Sequence, residues 1–204
     1  MKNMTIVQFA ESTASNEPVP GGGSISALAG ALAAALAEMV AGLTLGKKKY
    51  ESVHLEMKQM MPILKEAREV LLEDIRKDSE SFDLYMQALK FPKETEKEKK
   101  LRWEAMQNGL KVAVQVPLSV AEEAIKVLNY AGYMMRNGNQ TAVTDGLVAV
   151  MMARTAVLGA LYNVKINLRS IEDDKFVDEI YGRVKELEYQ AETIEMEFRQ
   201  ESGL

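Results

Sequence analysis

The sequence predicts an all-α protein, an up-and-down bundle of five or six long helices around a central helix of small residues. Apolar residues recur at intervals of three and four along most of the 204 residues, and no segment shows the period-two alternation of a half-buried strand. Two helical segments carry almost no charge on any face, so we expect them in the middle of the bundle. This length can bury a sizeable core, and we predict that residues 1–204 form one domain.

The central helix is predicted to run from Ser24, a preferred N-cap residue, to Leu45. It follows the sequence PVPGGG and ends before Gly46 and three lysines, which is typical of a helix C-terminus. Because alanine and glycine occupy every face, other helices can approach its backbone closely. A run of about 21 apolar residues could also span a bilayer. However, the run is mostly alanine and includes Glu38, so we expect a buried helix and no membrane partner.

The remaining helical segments follow in chain order at residues 4–14, 51–89, 93–116, 118–135, about 144–168 and about 173–200. Pro62 is expected to kink its helix or to start a new one, and Pro117 to break or bend the helix that precedes it. Thr141 or Thr144 is a candidate N-cap of the second apolar helix. Two helices with so few polar faces have more apolar surface than four neighbouring helices can bury. We therefore predict a homodimer with part of a central helix at the interface.

Composition argues against several classes of function. The net charge of −5 disfavours nonspecific binding to nucleic acid, so no nucleic-acid partner is expected. The chain has no cysteine and one histidine, His54, which argues against a disulfide framework, a thiolate nucleophile and a histidine-rich metal centre. The N-terminal sequence MKNMTIVQFAEST lacks the apolar core of a signal peptide, so a soluble cytoplasmic protein is expected.

Asp74 and Asp78 lie one helical turn apart in the sequence DIRKDSESFDLY. A carboxylate beside Phe82 on a partly buried face would have a raised pKa, which would make it usable as an acid or base near neutrality. The alternative is an ordinary solvated helix face, with Arg76 and Lys77 nearby.

Glu38 and Arg154 each stand nearly alone in an apolar helix. Buried charges are rarely left single. We therefore expect these two residues to pair with each other, or one of them to meet a substrate.

The glycines Gly21, Gly22 and Gly23 precede Ser24 and leave free backbone N–H groups at a helix start, where the helix dipole attracts an anion. The spacing and the lysine of a Walker phosphate loop are missing. The same glycines would equally suit a plain turn into a buried helix.

The C-terminal half contains a series of polar residues, namely Asn137, Asn139, Asp145, Asn163 and Asn167. Asn163 and Asn167 are four residues apart, so both amides project from one helix face. An asparagine inside a helix is disfavoured unless its amide has a partner. That partner is either a ligand or a neighbouring helix.

Several short segments between residue 18 and about residue 172 form one combined pattern: PGGGS and LTLGKKKY around the alanine-rich helix, Asp78-Ser79 with Phe82 and Tyr85, Phe91-Pro92-Lys93, Val116-Pro117-Leu118, Asn137-Gly138-Asn139, Thr144-Asp145, and YNVKINL from Tyr162 to Leu168. In this combination the chain resembles the cyclodeaminase/cyclohydrolase family of folate one-carbon enzymes. That family includes formiminotetrahydrofolate cyclodeaminase and a methenyltetrahydrofolate cyclohydrolase of the same fold. Phe91, Gln140 and Thr141 depart from the residues that are common in the family.

The resemblance implies an enzyme whose small-molecule partner is a tetrahydrofolate derivative. The preferred activity is cyclodeaminase, in which N10 attacks the formimino carbon of 5-formiminotetrahydrofolate and ammonia leaves, giving 5,10-methenyltetrahydrofolate. The alternative is cyclohydrolase, in which water opens 5,10-methenyltetrahydrofolate to 10-formyltetrahydrofolate. A non-catalytic helical dimer that serves as a scaffold is the alternative from another class. Neither reaction needs a metal or a redox cofactor, so we expect none.

The resemblance also implies roles for individual residues. Asp78 would be the acid or base, with Asp145 as the alternative or as the carboxylate that binds the N–H donors of the pterin. Asn163 and Asn167 would orient the pterin edge. The other predicted substrate-binding residues are Asn137 and Asn139 and, as contacts of the anionic glutamate tail, Gly21, Gly22, Gly23, Ser24, Lys47 and Lys48.

Overall fold

The computed structural model describes residues 3–81 and 83–202, and most of these residues are helical. The helices are α1 (Ile6–Thr13), α2 (Gly22–Thr44), α3 (His54–Ser81), α4 (Asp83–Ala88), α5 (Glu96–Asn137), α6 (Val143–Leu168) and α7 (Asp174–Ser202), with 3-10 turns at Lys48–Val53 and Gln140–Ala142. The described residues contain no strand, and the all-α prediction is confirmed. Phe82, expected beside the Asp78 carboxylate, lies outside the described residues.

Both interior prolines lie inside continuous helices. Pro62 lies within α3 and Pro117 within α5, a helix of 42 residues. The predicted break at Pro117 is therefore wrong, because a contact from α6 supports the backbone at that point, as described below for Asn167.

The two apolar helices, α2 and α6, pack antiparallel through very small residues. A Cβ atom added to Gly159 would lie 2.4 Å from Oγ of Ser26, and one added to Gly30 would lie 3.3 Å from Cβ of Ala156. Residue numbers rise along α2 as they fall along α6 in these pairs. Glycine and alanine at the contact let the two backbones approach closely, as the composition of the central helix predicted.

The ends of these helices differ in detail from the predicted caps. Gly21 is the N-cap of α2 and makes no side-chain cap bond, and Ser24 lies inside the first turn. At the other end Gly46 has φ of 81°, the left-handed conformation expected of a glycine after a helix. Ala142 precedes α6 without a side-chain cap, so neither Thr141 nor Thr144 is its N-cap.

The predicted pair between Glu38 and Arg154 is wrong. Glu38 accepts a hydrogen bond from Nε of Arg68 at 2.6 Å, because it faces α3. Arg154 faces α7, where its Nε lies 3.7 Å from a carboxylate oxygen of Glu195. Each charge therefore has a partner on a different amphipathic helix.

Helix α5 packs against α2, α3, α4, α6 and α7, while α2 and α6 lie side by side and also contact α3 and α7, respectively. The side of α2 and α6 turned away from the core is here called the outer face, and it exposes Ile25, Leu32, Met39, Leu43, Val148, Met151, Tyr162 and Ile166. By length and composition, α2 and the segment Gln140–Leu168 could each cross a membrane, and each is about half buried in the bundle. Core helices of a bundle pass the same test.

Candidate functional site at the start of α2

Asp78 on α3 contacts the first turn of α2 directly. The hydroxyl of Ser24 donates a hydrogen bond of 2.8 Å to Oδ2 of Asp78, and the Ser24 backbone also hydrogen-bonds this carboxyl group. The first N–H groups of a helix have no partner inside that helix. Because Gly21 offers no side chain, the carboxyl group of Asp78 takes the place of an N-cap residue from a different helix.

Gly23 is required by the closeness of this contact. A Cβ atom at Gly23 would lie 2.0 Å from Oδ1 and 2.5 Å from Cγ of Asp78, far inside any permitted distance. At Gly22 the added atom would lie 3.5 Å from Nδ2 of Asn163, an ordinary van der Waals contact. The two neighbouring glycines therefore differ, since only Gly23 has to be a glycine for Asp78 to reach the helix.

Burial raises the pKa of Asp78 above its usual value of 3.8, and this is the largest effect on the group. The hydrogen bonds from Ser24 lower the pKa in part, and the charge of Asp74 raises it further. A carboxyl group with a raised pKa exchanges protons more readily near neutrality than a solvated aspartate does. The expectation from sequence that Asp78 has a raised pKa agrees with this direction.

Asn163 brings an amide to the same place from α6. Its side chain lies beside Gly22, and its Nδ2 donates a hydrogen bond of 2.9 Å to the carbonyl of Gly159 within its own helix. The first turn of α2 thus has a carboxyl group, a hydroxyl group and a half-buried amide around it. This set can accept and donate protons and hydrogen bonds to a heterocyclic ligand edge.

Asn167, one turn further along α6, has a role inside the fold. Its Nδ2 donates a hydrogen bond of 2.9 Å to the carbonyl of Ala113 on α5. Its amide nitrogen therefore already has a partner in α5. Its role as a ligand contact stays a prediction.

The other predicted site residues lie at the opposite end of α2 and are here called the Asp145 cluster: Lys47, Lys48, Asn137, Asn139 and Asp145. Asp145 precedes Asn163 by 18 residues on α6, which is about 27 Å along a helix. Within one chain the fold therefore brings Asp78, Ser24 and Asn163 together and keeps the Asp145 cluster apart from them.

Asn137 and Asn139 of the Asp145 cluster are held by hydrogen bonds that involve their side chains. The backbone N–H of Asn139 donates to Oγ1 of Thr44 at 2.8 Å, and its side-chain oxygen accepts from the N–H of Thr141 at 3.2 Å. Asn137 donates its amide to the carbonyl of Tyr133 at 3.1 Å. These bonds fix the loop between α5 and α6 against the end of α2.

Asp74 is the other aspartate of the pair that the sequence marks as candidate acids or bases, and the family resemblance implies no separate role for it. Its side chain is 2% exposed and lies one turn before Asp78. The signal in the sequence was the spacing of four residues between the two aspartates. In the described part of the chain, no group of three or more histidine, aspartate or glutamate residues is arranged to hold a metal ion.

Comparison with known proteins identifies the family of this bundle. Residues 5–186 match the family model of formiminotransferase-cyclodeaminase. The chain belongs to this family. Its fold is also similar to the crystal structure of formiminotetrahydrofolate cyclodeaminase from Thermotoga maritima, with a TM-score of 0.87 and 31% identity over 98% of this chain and 96% of that one.

Curated relatives from bacteria and vertebrates match over most of the chain. A methenyltetrahydrofolate cyclohydrolase from Methylorubrum extorquens is 39% identical over 91% of this chain and 88% of its own length. The formimidoyltransferase-cyclodeaminase of Gallus gallus is 37% identical over 88% of this chain, which corresponds to 33% of the length of that protein. The family thus includes enzymes named for two reactions, and the chain spans about a third of its vertebrate members.

Proposed function

We propose that this chain is a folate one-carbon enzyme that converts 5-formiminotetrahydrofolate to 5,10-methenyltetrahydrofolate and ammonia. The observation that carries this proposal is the similarity to the Thermotoga maritima cyclodeaminase, which covers almost the whole of both chains. The crystallised chain that carries this name has nearly the same extent as the present one. The half-buried carboxyl group of Asp78 at the start of α2 would supply the acid–base group that the reaction requires.

In this proposal Asp78 carries one proton between two nitrogens of the substrate. The substrate reacts with its formimino nitrogen protonated. As N10 attacks the formimino carbon, the C–N10 bond forms, the C=N bond becomes a single bond to a neutral amino group, and Asp78 takes the proton from N10. Asp78 then gives that proton to the amino group, the C–N bond to that group breaks, and ammonia leaves. The carboxyl group ends the cycle in its starting state, and such proton transfer contributes about 10²- to 10⁴-fold to a rate.

The substrate would lie against the first turn of α2. Asn163 would orient the pterin edge with its amide, and Ser24 would hold Asp78 in place. The free N–H groups at Gly22 and Gly23 would attract a carboxylate or a carbonyl oxygen, helped by the helix dipole. In the reaction as written, the tetrahydrofolate derivative is the substrate and no further cofactor takes part.

A homodimer would complete this site. The outer face is about 33 Å long and two helices wide, so a partner that covers it would bury about 600 Å² on each chain. The total area buried on the two chains then reaches the lower end of the range for specific interfaces. Exposed apolar patches of this size on soluble proteins usually mark interaction sites. We propose that a second copy of the chain covers this face.

The charges favour an antiparallel arrangement of the two copies. A two-fold axis across the helices would set the Asp78 end of one chain against the Asp145 cluster of the other. Lys47 and Lys48 of the partner subunit would then lie near Asp78, whereas a parallel arrangement would place like charges together. The antiparallel dimer would bring the partner's Asp145 and the partner's lysines to the pterin and to the glutamate tail of the folate.

Cyclohydrolase is the second candidate, favoured by the 39% identity to the Methylorubrum extorquens enzyme over nearly its whole length. Here Asp78 would take a proton from the water that attacks the methenyl carbon and give it to N5 as the C–N5 bond breaks, while the remaining hydroxyl proton leaves to solvent and the formyl C=O bond forms. The same residues serve both reactions, since both pass through a tetrahedral carbon between nitrogens. A cytoplasmic location stays a prediction, as does the absence of nucleic-acid and membrane partners.

One assay separates the two reactions. The purified protein is mixed with 5-formiminotetrahydrofolate or with 5,10-methenyltetrahydrofolate, and absorbance of the methenyl chromophore is followed. Gain with the first substrate is the expected result, and loss with the second identifies a cyclohydrolase. A mixture without protein is the control for uncatalysed change, and rates equal to that control with both substrates would overturn the proposed function.

A further inference from the structure

Asp74 is a buried acid whose hydrogen bonding is incomplete. Oδ1 accepts a hydrogen bond from Nζ of Lys77 at 2.7 Å, while Oδ2 is buried and has no hydrogen-bond partner among the described residues. Leaving a buried polar atom unpaired costs free energy. Such an atom in a native protein calls for an explanation, and the position of Asp74 next to Asp78 offers one.

Few other charges reach Asp78 from its own helix. Asp74 lies one turn away, with about 6 Å between the Cβ atoms at this spacing. Lys77 is directed to Asp74, and Arg76 binds the exposed Glu73 and Glu80 on the solvent side. Asp74 is therefore the negative charge on α3 that faces the same buried region as Asp78.

Among the described residues, the helices packed against α3 add no charge that shifts the pKa of Asp78. On α2, the one charged residue is Glu38, which pairs with Arg68 about two to three turns before Asp78. On α5, Lys126 couples to Glu66, three turns before Asp78. The turn Lys48–Val53 contacts α3 at its opposite end. On α6, the neighbour of this site is the neutral Asn163.

We propose that Asp74 is a positioning residue of this site: through its buried carboxylate, held by Lys77 on one oxygen and unpaired on the other, it makes Asp78 a stronger proton acceptor. The charge of Asp74 acts on Asp78 through a low-dielectric region, where electrostatic interactions between groups one turn apart are strong. The unpaired oxygen is what leaves this charge effective toward the site. The inference rests on the proposed function only for its kinetic consequence.

The test measures Asp78 itself. The side-chain carboxyl carbon of Asp78 is followed by NMR between pH 3 and pH 9 in the full chain, in wild type and in the Asp74→Asn variant. Removing the negative charge should move the Asp78 midpoint to lower pH by about one unit. Glu80→Gln, the same charge change at an exposed position two residues from Asp78, is the matched control and should leave the midpoint in place.

Kinetics supply a second readout. Whichever protonation state of Asp78 is active, the limb of the kcat–pH profile that reports it should move to lower pH by the same amount in Asp74→Asn. In this proposal Asp74 acts only through Asp78, so the change should appear as a displacement of the profile along the pH axis. An inactive wild-type protein would remove the proposed function, while the NMR titration would still decide the role of Asp74.

A second variant covers the case in which Asp74→Asn fails to fold. Lys77 is largely exposed, so Lys77→Met should fold, and it removes the cation that partly neutralises Asp74. The Asp78 midpoint should then rise. An unchanged midpoint in folded Asp74→Asn, or in Lys77→Met where the first variant does not fold, would overturn the inference.

Discussion

The side-chain amide of Asn167 donates a hydrogen bond of 2.9 Å to the backbone carbonyl of Ala113, across the contact between α6 and α5. Ala113 lies four residues before Pro117, and proline has no N–H to donate to the carbonyl four residues earlier. Asn167 supplies the missing donor. This contact explains how α5 runs through a proline in its middle.

Removing this donor should destabilise the protein. Asn167→Ala leaves the carbonyl of Ala113 buried without a donor, at a cost of about 1–3 kcal/mol in the free energy of unfolding. In a Pro117→Ala background the backbone N–H of residue 117 can fill that role, so the same change should cost clearly less. Urea unfolding of the two single variants and the double variant measures this. Strictly additive losses of stability would show that Asn167 does not act by replacing the N–H that Pro117 lacks.

Gly23 and Gly22 should respond very differently to the same substitution. Gly23→Ala places a methyl group on the carboxyl group of Asp78, so Asp78 must move away from Ser24 and turnover should fall at least tenfold. Gly22→Ala places its methyl group at contact distance from Asn163 and should retain most activity. Steady-state rates on the methenyl chromophore compare the pair, and equal losses would contradict the assigned geometry.

The raised pKa of Asp78 predicts how stability depends on pH. Because the folded pKa lies above 3.8, the native state holds a proton in a range where the unfolded chain has lost it. The contribution of Asp78 to the free energy of unfolding is therefore complete below the unfolded pKa of 3.8, and it is lost as the pH rises through the folded pKa.

Asparagine does not titrate, so Asp78→Asn should gain stability relative to wild type as pH rises from 4 to 8. Urea unfolding of both proteins at pH 4, 6 and 8 measures the difference. Glu80→Gln, which removes a carboxylate at an exposed position on the same helix, provides the comparison. A difference between Asp78→Asn and wild type that is constant with pH would contradict burial as the dominant effect on this carboxyl group.

If two chains form each active site together, mixing two inactive variants should restore part of the activity. If Asp145 of the partner subunit completes the Asp78 site, Asp78→Asn and Asp145→Asn should each be nearly inactive alone. Random 1:1 exchange makes half of the dimers mixed, each with one intact site, so activity should return to about a quarter of wild type. Mixing Asp78→Asn with Asn163→Ala is the control. Asp78 and Asn163 of one chain belong to the same site, so every site in this mixture carries one of the two changes and none is restored. Absence of rescue in the first mixture would contradict the antiparallel arrangement.

A charge on the outer face should separate the copies. Leu32 is 46% exposed near the middle of α2, where a two-fold axis would bring both copies of the residue close together. Leu32→Glu therefore places two like charges at the interface and should give monomers in analytical ultracentrifugation, with loss of turnover. Leu101→Glu, at a 52% exposed position near the start of α5, should remain dimeric and active. A monomeric wild-type protein would contradict the proposed dimer.

The fold class and the number of long helices could be predicted from sequence because helical periodicity is a local property of the chain. The spacing of Asp74 and Asp78 marked both as candidates, and the resemblance to the family then singled out Asp78, whose catalytic role stays a prediction. The pairing of Glu38 with Arg68 could not be predicted, because many charges on the amphipathic helices offered equivalent partners. Nor could the role of Asn167 be seen, since it depends on a proline in another helix.

By itself the sequence determined that this chain forms apolar and amphipathic helices, that α2 can be approached closely, and which polar residues interrupt apolar surroundings. Only the tertiary structure decided which of those polar residues meet. It set Asp78 and Asn163 at the first turn of α2 and Asp145 about 27 Å away along α6. The physical reason is that helix formation depends on neighbours in sequence, whereas the direction and register of two packed helices depend on side chains from both.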